Sequence, residues 1–283
     1  MTVRVEALAQ EFQREGVLVL PGLLADDPLF LEYVAEIRAL LFALYAEAGR
    51  SPARDASLAA LVTDLARTHR PLVGRIYDIG TGPAKLLSAM RLKLHPTFVA
   101  LARAVFGPEG VLASPTLSDT LHVFPPGAEN FRFNLPIHQD YPYLMQSPAQ
   151  LTLWVSLGAD RDCGGVTVWR GSHRLGLQPC RPNAHGHLEV VDGERLVADR
   201  APMFVGGGLG DVAVIDTFSL HRSEHNVSAD RSRLVQLFRY ANLAEPAAIA
   251  TGWASVPPRD GLTLFARTHP DKLVADPLPA PKS

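Results

Sequence analysis

The spacing of apolar residues changes character once along the chain, near residue 110. Before it, apolar positions recur at helical intervals. Val5, Leu8 and Phe12 share one face, and Gly16 supplies a stop after them. Val17 to Leu20 is a short apolar run closed by Pro21-Gly22, which predicts a strand. Asp27-Pro28 then pairs an N-cap with a residue whose missing N–H costs nothing at the first helical position. Phe30, Val34, Ile37, Leu41 and Leu44 line one face of the helix that follows, with Glu32, Glu36 and Arg38 expected on its solvated side. Leu58, Leu61, Val62 and Leu65 mark a further amphipathic helix, and residues 86–90 and 98–106 two more.

After residue 110, short apolar or alternating runs sit between Pro, Gly, Asn and Asp clusters, the pattern of many short strands. The runs cover residues 111–113, 120–124, 151–157, 166–169, 188–191, 212–215 and 234–240. In the run 151–157, the leucines and Val155 share one face, while Thr152, Trp154 and Ser156 share the other. Strands at this spacing predict a sandwich or jelly roll. The loops 141–150 and 173–204 are expected to cover its mouth, with Gly206-Gly-Gly208 as a hinge. No linker divides the chain, so the expectation is one domain. Residues 1–109 form a mainly helical part, 110–243 a jelly-roll core and 244–283 a proline-rich tail.

Composition narrows the class of partner. Hydrophobic residues make up 47% of the 283 and charged residues 20%, an ordinary globular balance. A net charge of −2 provides no broad basic surface for nucleic acid. Two cysteines, Cys163 and Cys180, lack the spacing of a zinc site and are too few for a disulfide framework, so they are expected as reduced thiols. The first residues lack the basic-then-apolar order of a signal peptide, and no apolar run is long enough to span a bilayer. A soluble cytoplasmic protein is therefore expected, acting on a small molecule and not on nucleic acid or a membrane; the oligomeric state is open.

Most of the ten histidines need no chemical role. Solvent exposure in loops accounts for His69, His95 and His269, and His185 with His187 has no third ligand nearby. The stretch Pro136-Ile-His138-Gln-Asp140-Tyr-Pro-Tyr143 is different. In an extended segment, residues two apart project to one face, so His138 and Asp140 can offer an imidazole nitrogen and a carboxylate oxygen to one ion. A third ligand from a distant strand would complete a facial triad with open positions. Gly171-Ser-His173-Arg174, Gly210-Asp211 and His221-Arg-Ser223-Glu-His-Asn226-Val-Ser228 follow in order, then Arg231 and Arg233. Serine and arginine together suit the distal carboxylate of a dicarboxylic acid. His225 competes with His221, since residues four apart on a strand face the same way; the serine, asparagine and arginine spacings all count from His221.

The ordered set H-Q-D, G-S-H-R, G-D and H-x-S-x-x-N-x-S followed by arginine resembles the phytanoyl-CoA dioxygenase family over residues 138–240. That resemblance implies an α+β fold with a double-stranded β-helix (cupin-like jelly roll) core and a helical N-terminal region packed on it. It also implies Fe(II), 2-oxoglutarate as cosubstrate and O₂, with release of succinate and CO₂ and hydroxylation of a C–H bond. His138, Asp140 and His221 would then be the iron ligands, and Ser223 with an arginine the grip on the 2-oxoglutarate C5 carboxylate. The family's usual spacing falls on Ser232; counting back from Tyr240 favours Arg233, with Arg231 as the nearest substitute. Gln139, Thr152 and Trp154 are further candidates for the cosubstrate site. Tyr141, Tyr143, Trp169 and His173 are candidates for the substrate pocket, and ordinary barrel packing accounts for these side chains equally well. Trp169-Arg-Gly-Ser-His173 departs from the family, which commonly has proline before Gly-Ser-His. In related halogenases glycine or alanine stands where this chain has Asp140, so a hydroxylase or another oxygenase outcome (desaturation, epimerisation or ring closure) is expected. A catalytically silent binding protein is the alternative outside enzymes. The scarcity of lysine, 4 against 23 arginines, disfavours a CoA-sized polyanion, and the polar and aromatic pocket candidates favour a small polar metabolite or natural-product intermediate.

Overall fold

Gly16 adopts φ +71° and ends helix α1 (Val5–Glu15), and strand β1 (Val17–Leu20) follows directly. The structure, a computed structural model, describes residues 5–69, 85–114, 119–126, 134–158, 161–253 and 261–274. Helix α2 (Pro28–Glu47) starts on Asp27, whose carboxylate accepts from the N–H groups of Leu29 and Phe30 at 2.9 and 3.1 Å. A cap of this kind stabilises a helix by about 1 kcal/mol. The other oxygen of Asp27 holds His95 Nε2 at 3.0 Å, and His95 Nδ1 accepts from Thr97 N–H. His95 is therefore a partly buried link between two helix starts, not a solvent-exposed loop residue. Helices α3 (Leu58–Thr68), α4 (Leu87–Lys93) and α5 (Pro96–Phe106) complete the N-terminal layer.

The buried face of α2 is Phe30, Tyr33, Ile37, Leu41 and Tyr45; Val34 and Leu44 sit beside it, half-buried. Two tyrosines fit this buried face because their hydroxyls find partners: Tyr33 donates to Gln236 Oε1 at 2.6 Å and Tyr45 to Asp64 Oδ2 at 2.7 Å. The charges expected on a solvated side are engaged. Glu32 pairs with Arg91 at 2.7 Å, Glu36 accepts from the Ser88 hydroxyl, and Arg38 donates to the Ala56 carbonyl.

The main sheet runs β1–β9–β4–β11–β2, with β3 also paired to β11, where β2 is Leu112–Ala113, β3 Thr120–Phe124, β4 Gln150–Ser156, β9 Val212–Asp216 and β11 Arg233–Asn242. A second sheet, β10–β5–β8, combines His221–Ser223, Val166–Trp169 and Pro202–Val205, and β6 (Cys180–Pro182) pairs with β7 (Leu188–Val190) as a hairpin. All the pairings within these sheets are antiparallel. Alternation divides the main sheet into two faces. Leu121, Val123, Leu151, Leu153, Val155, Leu234 and Phe238 pack against the helices, while Trp154, Val235, Leu237, Ala213 and Ile215 meet Val168 and Val205 of the second sheet. The result is the predicted jelly roll, with a helical layer on one side and an interior between the sheets on the other.

The segment 173–204 differs from the expected lid. It contains β6, β7, a short helix (Gly193–Val197) and the start of β8, and Val190 N–H donates to the Ile137 carbonyl at 2.8 Å. The expected glycine hinge is also fixed. A Cβ on Gly207 would lie 1.9 Å from Asp211 Oδ2, and its carbonyl accepts from Ser156 Oγ at 2.8 Å. Among the described residues no helix is long and apolar enough to cross a membrane, and both cysteines are buried and unbridged.

Candidate metal centre

His138 and His221 sit opposite one another in an isolated antiparallel bridge, closed by backbone bonds of 2.9 and 3.1 Å. Directly opposed residues project to the same face, which brings their ring centroids to 4.0 Å. Each ring is oriented from behind: His138 Nδ1 faces the Pro136 carbonyl at 2.8 Å and His221 Nδ1 the Ser219 carbonyl at 2.9 Å. A carbonyl only accepts, so Nδ1 carries the proton in both rings and Nε2 presents its lone pair. Both Nε2 atoms look toward Asp140 Oδ1, at 3.9 and 3.7 Å. These three ligand atoms lie within 4.8 Å of one another and can hold one ion. Two imidazoles fixed from behind and one carboxylate oxygen are the donor set of a facial non-haem iron site, so the residues present fit that metal.

The carboxylate's other oxygen is also engaged. Thr152 Oγ1 donates to Asp140 Oδ2 at 2.8 Å, and Arg239 Nη2 lies 3.9 Å from the same atom. Burial pushes the Asp140 carboxyl up, but Arg239, the two histidines and the Thr152 hydrogen bond outweigh it and hold it down to about 2. Burial, reinforced by His221 and opposed by Asp140, pushes His138 down to about 3. The pair is thus ready for a cation at neutral pH: the carboxylate is charged and the His138 imidazole neutral.

Ser223 is two residues beyond His221 on β10, opposite Val166, and shares its face. Arg233 enters the interior from the start of β11 and is buried at 2% exposure. Its Nη1 donates to the Gly165 carbonyl at 2.9 Å, its guanidinium carbon lies 3.6 Å from the Phe124 ring centroid, and its Nε has no hydrogen-bond partner among the described residues. Arg231 instead lies half-exposed on the outside, beside Asp162 and Asp230 at 3.7 and 3.6 Å. His225 is exposed, with its ring at 3.1 Å from Asn134 Nδ2, away from the triad. Asn226 is a turn brace, donating to the carbonyls of Phe124 and Arg231.

The remaining expected residues separate. Tyr143 stands edge-on to His138 with ring centroids 5.9 Å apart, and its hydroxyl accepts from Leu188 N–H at 2.7 Å. Thr152 reaches Asp140, as above. Trp154 faces inward but is packed among Val168, Ala213, Val235 and Leu237. Four residues are placed elsewhere. The Gln139 amide points away from its two neighbours, donating to the carbonyls of Gly176 and Phe218 and accepting from Gln178 N–H at 2.9, 2.7 and 2.9 Å. That makes it a clamp on the backbone and not a cosubstrate contact. Tyr141 packs with Met145, Cys180, Leu188 and Phe265. Trp169 follows inward-facing Val168 and so lies on the outer face of β5, under the Arg222 guanidinium at 5.5 Å from its ring centroid. His173 Nε2 binds the Gln13 carbonyl at 3.1 Å, tying its turn to the end of α1.

Two interior residues had escaped the motif search. His122 projects between the arginines of β11, and burial followed by Arg239 and Arg233 pushes it down to about 3. Arg239 is six residues beyond Arg233 on the same strand, and that even spacing across a run that is apolar apart from Gln236 was the available signal.

The protein is 30% identical over 138 residues to a 1-deoxypentalenic acid 11-beta-hydroxylase of Streptomyces exfoliatus, a match spanning 43% of this chain and 47% of that protein. In structure it is similar to the epimerase SnoN in complex with Fe3+, alpha ketoglutarate and nogalamycin RO, with a TM-score of 0.55, 22% identity and coverage of 89% of this chain and 90% of that one. It is also similar to EctD from S. alaskensis in its apoform, with a TM-score of 0.54, 17% identity and coverage of 84% and 76%. At such identities these structures speak for the shared fold. The sequence profile of the phytanoyl-CoA dioxygenase (PhyH) family matches residues 12–235, which include the triad and Arg233, and the chain belongs to that family.

Proposed function

We propose that the protein is an Fe(II)- and 2-oxoglutarate-dependent oxygenase that hydroxylates a C–H bond of a small, polar metabolite or natural-product intermediate, releasing succinate and CO₂. The observation that carries the reading is the convergence of His138 Nε2, His221 Nε2 and Asp140 Oδ1 beside an interior that also holds the buried Arg233. In this reading iron, when bound, supplies the oxidative chemistry with O₂. The protein's own residues do the rest. The carbonyls of Pro136 and Ser219 keep both Nε2 lone pairs aimed at the metal position. Arg233 and Ser223 grip the distal carboxylate of 2-oxoglutarate; a buried guanidinium offers two parallel donors to a carboxylate. The inward apolar residues around Trp154 exclude water from one wall, which strengthens every charged contact inside.

The hydroxylase relative favours insertion of oxygen as the outcome. Neighbours named as an epimerase and a carbocyclase share the fold, so product analysis has to accompany turnover. The test is a metabolite-library screen for substrate-dependent succinate release, with Asp140→Ala as the control. Coupled succinate with a product heavier by one oxygen supports the proposal. Full coupled turnover by D140A would refute the triad, and a product of unchanged oxygen content would replace hydroxylation by another oxidation.

A further inference from the structure

Both oxygens of Asp140 have defined surroundings, and the two sets of surroundings differ. Oδ1 faces the two imidazole Nε2 atoms, whereas Oδ2 accepts from Thr152 and faces Arg239. Thr152 and Arg239 are directly opposed in the β4–β11 register, so one rung of the main sheet supplies both contacts. Thr152 is buried and β-branched, which restricts its hydroxyl to few directions. Arg239 is also buried, and a buried guanidinium beside a carboxylate is costly to separate from it. A carboxylate is planar, so holding one oxygen fixes where the other points.

Resting on the iron site proposed above, we infer that Thr152 and Arg239 are positioning residues that keep Asp140 a one-oxygen ligand. The consequence concerns room at the metal. Three protein donors leave three of six octahedral positions open, enough for two donor atoms of 2-oxoglutarate and O₂. If Oδ2 also swung onto the ion, one of these positions would be lost. Thr152 and Arg239 therefore act on cosubstrate binding through Asp140, without touching the metal themselves. Asp140 would still hold iron without them, but in a geometry that competes with 2-oxoglutarate. This separates metal affinity from cosubstrate affinity, which a merely structural role would not do.

The test uses the full chain, loaded anaerobically with Fe(II) and titrated with 2-oxoglutarate, with Co(II) spectra reporting coordination number. Thr152→Val keeps the side-chain shape and removes the hydroxyl; Thr152→Ser keeps the hydroxyl. The expected result is metal affinity within about tenfold of wild type in T152V, but 2-oxoglutarate binding weakened by about 10- to 100-fold at saturating metal. T152S should return 2-oxoglutarate binding to near the wild-type value. The Co(II) spectrum of T152V should report a more crowded site before 2-oxoglutarate is added. Should T152V fail to fold, Arg239→Gln reads the same split. Unchanged 2-oxoglutarate affinity in folded, metal-saturated T152V or R239Q would overturn the inference while leaving the iron site intact. Wild-type protein that binds neither metal nor 2-oxoglutarate would instead remove the underlying reading, and the inference with it.

Discussion

Replacing Arg233 by alanine removes the one cation that enters the interior from the start of β11. The side chain is 2% exposed, and although burial holds its pKa down to about 9, it stays protonated at neutral pH. Truncating one partner of a buried, hydrogen-bonded charge pair costs about 2–4 kcal/mol, equivalent to roughly 30- to 1000-fold in affinity. Arg231→Ala is the matched comparison. Its guanidinium is half-exposed and lies 3.7 and 3.6 Å from Asp162 and Asp230, so its loss is worth about 0–1 kcal/mol, within roughly fivefold. The assay is anaerobic titration of 2-oxoglutarate into Fe(II)-loaded protein, with turnover measured at saturating 2-oxoglutarate. R233A also removes a fully buried side chain packed on the Phe124 ring, so its Tm should fall and titrations belong well below that midpoint. Arg233→Lys keeps the charge without the two-pronged donor and should fall between R233A and wild type. Equal weakening by R231A and R233A, or the reverse order, would refute the assignment.

Three further outcomes follow from the same structure. His221→Ala should abolish binding of one equivalent of Co(II) by calorimetry while His225→Ala leaves it within about twofold, because only His221 is bridged to His138; the opposite pattern would exchange their roles. Asp119→Ala removes the counter-charge of Lys93, buried at 7% exposure and held by Asp119 at 2.6 Å, leaving it the Ser114 hydroxyl, and should cost about 3–5 kcal/mol in chemical denaturation; a loss under about 1 kcal/mol would show the pair to be dispensable. Asp216 supplies a pH test. Burial pushes its carboxyl up to about 6, against the Phe218 N–H and His173. Between the ordinary 3.8 and about 6 the unfolded chain loses this proton and the folded chain keeps it, so stability falls as pH rises through that window. Asp216→Asn retains an acceptor for Phe218 N–H and lacks that loss. Its advantage over wild type should grow from pH 4 to 7, reach about 1–3 kcal/mol and then level off; an advantage that shrinks with rising pH would contradict the cause assigned.

Much of the fold was legible because local signals agreed with burial. The stop at Gly16, the cap at Asp27 and the alternation of residues 151–157 all stand where periodicity put them. The strands left unread were β6, β8 and β10, each three or four residues long and broken by polar residues or proline, so periodicity had too few positions to register. The same shortness made the segment 173–204 look like a loop. In the site, H-x-D spacing gave His138 and Asp140, whose ligand atoms do converge, although Asp140 itself stands in the right-handed helical region at the start of a short helix. The spacings to Ser223, Asn226 and Arg233 favoured His221 over His225, and the bridge to His138, a long-range pairing, sets it opposite that residue. Gln139 and Trp169 each lie one residue from an inward-facing neighbour, and along the chain that single step turns the side chain another way. Arg239 escaped because it belongs to no motif, and its place beside Asp140 comes from the β4–β11 register.

In the proposed function His138, Asp140 and His221 hold one metal ion that can accept 2-oxoglutarate. Anaerobic titration of Fe(II) and 2-oxoglutarate, followed by visible absorption, tests it most directly. The account predicts one Fe(II) per chain and a weak visible band that needs both additions, lost in His138→Ala and His221→Ala. A band that persists in either variant, or its absence from the folded wild-type protein, would contradict the account.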